Sequence, residues 1–321
     1  MVKICALGSA SQDVFLSGKG IEAKFEPSNN AYFEEFKLGT KLNVEKIDFA
    51  IGGGASNAAV TFARQGHESS FVGKLGGDIP AQNVINELDH ENVDTRHVIF
   101  DENGGTQYST ILLADTGERT ILIYRGVGDK YHVKDYEDMD FSGFEWLYVS
   151  TLSGSVDVLD YVFSKAKSQN VKIAFNPGDK ELRQPEKLKP LIEDVDILIV
   201  NKDEAQLIVN GESLEELTRR MMSYVPLVII SDGPNGVIAS DGKTIVRAGM
   251  YEDVKVVDRT GAGDAFGSGF VSKWSEGKSL KDAIVFASAN STSVVTKIGA
   301  KAGILHKGAV LHAMPLDEKP F

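Results

Sequence analysis

The chain is expected to fold as an α/β protein: a doubly wound, mainly parallel sheet flanked by helices, with a small β-sheet lid. Short β-branched runs such as Asp196-Ile197-Leu198-Ile199-Val200 have the continuous apolar character of strands buried on both faces. After residue 124 such runs alternate regularly with helical stretches, the pattern of βαβ units. Two blocks, about 14–51 and 96–125, abandon the helical period for short alternating pieces, which places their strands off the main sheet. The whole of 1–321 then reads as one domain with a lid contributed by those blocks.

Residues 2–7 read as a buried strand containing Cys5, and 8–13 as the loop leaving its C-terminal end. That end is the ligand-facing edge of an open α/β sheet, which makes Asp13 a candidate contact, although the G-x-G-x-x-G dinucleotide pattern is missing. In the first lid block, 32–36 and 44–49 read as strands. Gly52-Gly53-Gly54-Ala55-Ser56-Asn57 then opens a small-residue helix running to about residue 65. Glycines there allow a ligand close to the backbone, and Asn57 offers both a donor and an acceptor to a hydroxyl; a plain hinge into an alanine-packed helix has the same pattern.

A strand at 71–75, a turn at Gly76-Gly77-Asp78 and a helix at 81–88 follow. The second lid block supplies 110–113 and 120–124 around the turn Asp115-Thr116-Gly117-Glu118. Strands are then expected at 145–150, 171–175, 195–200 and 227–231, with helices at 155–168, 202–209 and 213–223. Asn201 and Glu204, three apart at a strand end, share one face of a helix start, an arrangement that also serves as a cap. Ser231-Asp232-Gly233-Pro234-Asn235-Gly236 reads either as a hairpin turn or as a bed for a phosphate.

The richest stretch is Asp258-Arg259-Thr260-Gly261-Ala262-Gly263-Asp264, between the strand-like 254–257 and an apolar helical run. Gly261, Ala262 and Gly263 carry so little side chain that consecutive N–H groups can crowd a phosphate, and the helix start adds its positive end. Asp264, in the first turn, can accept a proton or hold a hydroxyl. An acidic turn at a helix start is the bland alternative. Gly277-Lys278-Ser279 mimics the end of a Walker A loop, but Ser272 stands where its glycine is required, and Ser279 with Asp282 starts a helix instead. Asn290-Ser291-Thr292 matches a glycosylation sequon inside a helical stretch.

A net charge of −12 argues against nucleic acid as a partner, because phosphate-backbone affinity comes from Lys and Arg. One cysteine excludes an intrachain disulfide and a cysteine metal cluster. No export signal and no 18-residue apolar stretch is visible, so a cytoplasmic protein without a membrane partner is expected. The six histidines lack ligand spacing and read as surface or loop residues.

Taken in order, the glycine pair with Asn57, Asn176-Pro177-Gly178, the N-x-x-E of 201–204, the 231–236 turn and the G-A-G-D of 261–264 resemble the ribokinase-like (PfkB) carbohydrate kinases over essentially the whole chain. The resemblance implies an ATP-dependent kinase transferring the γ-phosphoryl group to a hydroxymethyl of a sugar or sugar derivative. A nucleoside kinase on the same scaffold is the alternative, since fold does not fix substrate. A non-catalytic sugar or nucleotide sensor is a further one, against which the intact Asp264 argues. By resemblance, Asp264 is the catalytic base and Gly261, Ala262 and Gly263 form the anion hole, while Asp13, Gly52, Gly53 and Asn57 meet the acceptor. Asn201, Ser231, Asp232, Gly233, Gly236, Ser288 and Asn290 border ATP, and Glu204 acts on Mg²⁺ through water. Asp258 and Thr260, with backbone near Val294, Lys297, Gly299 and Gly303, resemble the family's potassium site. The lid blocks are where family members pair into homodimers.

Two positions depart from the family. Arg259 stands where a small residue or proline is usual, and Thr151-Leu152-Ser153-Gly154 replaces a glutamate that touches the sugar in ribokinase itself, which speaks against D-ribose. Tyr124-Arg125 at the second lid block's end could meet an acidic substrate or simply be solvated.

Overall fold

The computed structural model describes residues 1–114, 119–249, 254–311 and 314–321; the expected turn at Asp115–Glu118 and His312 lie outside the described residues. The chain begins with β1 (Lys3–Leu7) and β2 (Ser11–Ser17), then β3 (Lys24–Glu26), β4 (Ala31–Phe33) and β5 (Lys46–Gly52), which feeds α1 (Gly54–Arg64). Next come β6 (Glu68–Val72), β7 (Lys74–Gly76), α2 (Ile79–His90), β8 (Ile99–Asp101), β9 (Tyr108–Leu113) and β10 (Arg119–Tyr124). The alternating part holds β11 (Trp146–Val149), α3 (Val156–Ser168), β12 (Lys172–Phe175), α4 (Asp179–Leu182), α5 (Pro185–Ile192) and β13 (Ile197–Asn201). It continues through α6 (Lys202–Ile208), α7 (Leu214–Met221), β14 (Val228–Ser231), β15 (Val237–Ser240) and β16 (Thr244–Ala248), and ends with α8 (Ala262–Ser275), α9 (Leu280–Val294) and β17 (Leu316–Pro320).

The main sheet runs β17-β16-β15-β14-β13-β12-β11-β1-β6. Its strands from β6 to β14 pair in parallel, and β15, β16 and β17 extend it antiparallel. Successive residues of β1 serve opposite faces. Ile4 and Ala6 pack with α1, α8 and α9, whereas Cys5 and Leu7 pack with α3, α5 and α7. Both faces are therefore covered, as continuous apolar strands demand, and each buried Leu, Ile or Val contributes about 1.5–3 kcal/mol relative to exposure.

The lid is a separate four-stranded sheet, β10-β9-β2-β5. β2 pairs antiparallel with β5 and parallel with β9, setting Asp13 opposite Ala50 and Ser109. Asp13 thus belongs to a lid strand and not to a loop; its strand is made by partners far along the chain. The lid's strand from 44–49 is found as β5, but Tyr32 and Phe33 pair with β3 in a sheet of their own. The 71–75 strand divides at Gly73, and β7 turns away to pair with β8. Residues 254–257 form no strand. The N–H of Val257 instead donates to Val295 O at 2.7 Å, tying the segment to the end of α9. Among the described residues, no helix is long and apolar enough to cross a membrane.

Candidate active site

Two loops at the C-terminal edge of the parallel strands form the site. The first is the turn into α8. Gly261 caps this helix with φ at 78°, in the left-handed region, and a side chain there would collide with Ala300. Gly263 is exposed and faces open space, so a ligand can approach the turn there, while Ala262 N makes a long bond of 3.4 Å to Arg259 O. Asp264 follows in the first turn, where the helix end favours its ionised form.

The second loop is the turn from β5 into α1. Gly53 has φ at 96°, and a side chain on it would strike the Ala10 backbone; one on Gly52 would strike the Asp13 carboxylate. The glycine pair is therefore required for Asp13 and the turn to lie in contact. One helical turn on, Asn57 Nδ2 donates to Asp264 Oδ2 at 2.8 Å, joining the two loops across 207 residues of sequence.

Asp13 is buried and Asp264 half-buried. Burial raises the Asp264 carboxyl above its ordinary value, opposed by the Asn57 hydrogen bond and the positive charge of Lys301. Burial likewise raises Asp13, against hydrogen bonds from Ser11 and Ser109 and the charge of Lys301, while Asp258 adds to the rise. Among the described residues, Asn57 Oδ1, Tyr148 OH and Ser150 Oγ are buried without a protein partner. An arriving hydroxyl or water would satisfy such atoms.

Lys301 was not among the residues singled out from sequence. It is 4% exposed, and its Nζ donates to Ile51 O at 2.6 Å and to Ser56 Oγ at 3.0 Å. Burial lowers it to about 8, opposed by Glu87, Asp13, Asp264 and Glu91. The one sequence signal was a lysine set among small residues, Gly299-Ala300-Lys301-Ala302-Gly303, where a lysine is free to turn inward.

The expected cation loop comes together in part. Asp258 Oδ1 accepts from Thr260 N (2.9 Å) and Thr260 Oγ1 (2.7 Å), and its Oδ2 accepts from Gly299 N (3.0 Å). Gly303 packs on the Ser293–Val294 backbone, and Val294 O accepts from Lys297 N at 3.1 Å. A carboxylate with nearby carbonyls is an oxygen donor set suited to a hard cation. Among the described residues, no group of three or more His, Cys, Asp or Glu gathers as a metal centre.

The residues expected toward the nucleotide are assembled differently. Asn201 and Glu204 cap α6 reciprocally: Asn201 Oδ1 accepts from Glu204 N at 2.9 Å, and Glu204 Oε2 accepts from Asn201 N at 2.8 Å. Burial and the charges of Asp203 and Asp179 raise the Glu204 carboxyl, outweighing its hydrogen bonds with Asn201. Ser231 to Gly236 makes a tight turn between β14 and β15, with Asp232 N donating to Gly236 O at 2.8 Å and Gly233 at its outer end. Lys202 Nζ stands 3.9 Å from the Asp232 carboxylate.

Ser288 lies buried on α9. Asn290 cannot sit beside a base: its Nδ2 donates to Ala265 O and its Oδ1 accepts from Leu305 N, both at 2.8 Å, so it braces α8 and α9 from inside. His67 likewise departs from the surface reading. It is buried, with Nε2 2.9 Å from Ser272 Oγ, and burial lowers it to about 4.

A small-residue turn at a helix start beside a half-buried carboxylate, which is bonded to a second glycine turn, on a doubly wound sheet with a lid, is an arrangement suited to phosphoryl transfer to an alcohol. Residues 28–307 match the pfkB family carbohydrate kinase, and the chain belongs to that family. It is 28% identical to the ribokinase of Staphylococcus aureus over 94% of this chain and 96% of that protein. The Methanocaldococcus jannaschii nucleoside kinase, an archaeal member of the ribokinase family, superposes with a TM-score of 0.77 at 23% identity, covering 95% of each chain. An Escherichia coli protein assigned as a ribokinase II, solved with ATP and Mg²⁺, superposes with a TM-score of 0.80 at 19% identity over 95% of this chain and 96% of that one. The two structures establish the fold. Family membership makes the chain a carbohydrate kinase that transfers phosphoryl from ATP to an alcohol.

Proposed function

We propose that the chain phosphorylates a hydroxymethyl group of a sugar or sugar derivative, with Asp264 as the base that receives the hydroxyl proton. The carrying observation is the Asn57–Asp264 hydrogen bond, which sets the acceptor turn against the start of α8. Asp13, the Gly52–Gly53 backbone and Asn57 hold the acceptor, and its hydroxyl approaches Asp264. The N–H groups of Gly261, Ala262 and Gly263 receive the charge of the transferring phosphoryl group. The loose transition state leaves positioning and charge stabilisation as the protein's main tasks. Ser231, Asp232, Gly233, Gly236 and Ser288 border the nucleotide, with Asn201 near its phosphates.

Mg²⁺, held through water near Glu204, would neutralise charge on the phosphates. Potassium is assigned to the loop of Asp258 and Thr260, with the backbone near Val294, Lys297, Gly299 and Gly303. The whole chain works as one cytoplasmic kinase unit, its lid strands closing over the acceptor and excluding water. The outer lid keeps large apolar side chains in water, Phe49 at 66% and Leu122 at 57% exposed, which supports pairing of two copies through the lid.

The test is transfer of label from γ-labelled ATP across a panel of sugars and nucleosides. Label on a sugar bearing a free hydroxymethyl group is expected. Label on nucleosides alone would move the chain to the nucleoside kinase reading, and none on any alcohol, with ATP still bound, would favour a sensor.

A further inference from the structure

Three consecutive residues after α9 reach three parts of the site. Gly299 N donates to Asp258 Oδ2 at 3.0 Å. Ala300 fills the space beside Gly261, so the anion cradle rests on it. Lys301 points the other way, and its Nζ grips the end of β5 at Ile51 O (2.6 Å) and the first turn of α1 at Ser56 Oγ (3.0 Å). Ser56 Oγ itself donates to Gly52 O at 2.6 Å, inside the glycine turn. The backbone of Lys301 is fixed as well, because its carbonyl accepts from Arg64 Nη1 at 2.9 Å, and Arg64 is held by Glu91.

Burying an ammonium is costly, and this one has no carboxylate within ion-pair distance among the described residues. A residue that served only to fill space could be an uncharged chain of the same length. What the ammonium adds is two directed bonds to the acceptor turn from the loop that packs against the anion cradle, and a positive charge felt by Asp13 and Asp264.

We infer that Lys301 is a positioning residue for phosphoryl transfer, fixing the acceptor turn against the anion cradle so that Asp13, Asn57 and Asp264 converge on one hydroxyl. The inference rests on the acceptor site and base proposed above. Its reach is selective: among the described residues, the hydrogen bonds of Lys301 Nζ go to Ile51 O and Ser56 Oγ beside the acceptor turn, and none to the Asn201–Glu204 cap.

The test compares wild type with Lys301→Met, Lys301→Arg and Ser56→Ala, using ATP·Mg²⁺ and the sugar that the panel labels. Steady-state rates, ATP binding by titration calorimetry and thermal unfolding are measured for each. Lys301→Met is expected to lower kcat/KM for the sugar about 100-fold, the scale of a misplaced reacting group, while ATP affinity stays within about twofold. Lys301→Arg should recover part of the loss. Adding Ser56→Ala to Lys301→Met should cost less than Ser56→Ala costs alone, because the two share one contact.

Unchanged kcat/KM for the sugar in Lys301→Met, or equal losses of sugar and ATP binding, would overturn the inference. Should Lys301→Met not fold, Lys301→Gln and Ser56→Ala decide: a raised sugar KM with unchanged ATP affinity in both supports the role, and a wild-type sugar KM in both refutes it. Asp264→Asn serves as the separate control. Full turnover in that variant would refute the proposed base whatever Lys301 does.

Discussion

The half of the site proposed for the acceptor and the half proposed for the nucleotide differ in what their polar groups are bonded to. On the acceptor side, Asn57 is already bonded to Asp264, Lys301 to the strand and helix around the glycine turn, and Ser11 to Asp13. Asn57, Ser11, Asp13 and Lys301 are buried and Asp264 half-buried, and among the described residues Asn57 Oδ1 and Ser150 Oγ are left without partners. On the nucleotide side, Asn201 and Glu204 spend their side chains on each other, and the 231–236 turn bonds to itself at the surface. If the roles proposed above hold, charge is preorganised around Asp264, whereas Asn201 and Glu204 would exchange their mutual bonds for ATP·Mg²⁺.

The largest effect should come from the acceptor half. Asp264→Asn is expected to lower turnover about 10²- to 10⁴-fold, the usual worth of a positioned base, and to leave ATP affinity nearly unchanged in calorimetry. A comparable loss of ATP affinity would break the division between the halves. A smaller effect is expected from Glu204→Gln. Glutamine can still close the reciprocal cap on α6, so folding should hold while the Mg²⁺ concentration needed for half-maximal rate rises about tenfold. An unchanged Mg²⁺ requirement would leave Glu204 as a cap alone.

Legibility from sequence follows the same division in part. The turn into α8 could be read because its cues are local: small residues and an acid at a helix start. The parallel strands were readable from their continuous apolar runs. Asp13 was placed in a loop because its strand depends on Ala50 and Ser109, pairings no local pattern encodes. Lys301 and His67 were missed for a related reason: burial of a polar side chain depends on what tertiary packing brings over it. Asn290 was read toward the nucleotide, yet the α8–α9 packing consumes both ends of its amide. The valine-rich 254–257 had the composition of a strand, but Val257 N is spent on Val295 O at the end of α9.

The most direct test of a preassembled acceptor half is the pH dependence of kcat/KM for the sugar, in wild type and in Asn57→Ala. Burial raises Asp264, so its deprotonated, proton-accepting form is lost as pH falls through a midpoint above the usual carboxylate range of about 4. The Asn57 hydrogen bond and the Lys301 charge oppose that rise, so removing the Asn57 amide should move the acid limb to still higher pH. That upward shift, with ATP affinity unaltered, is the predicted result. An acid limb at the ordinary carboxylate value, unmoved by Asn57→Ala, would contradict the account.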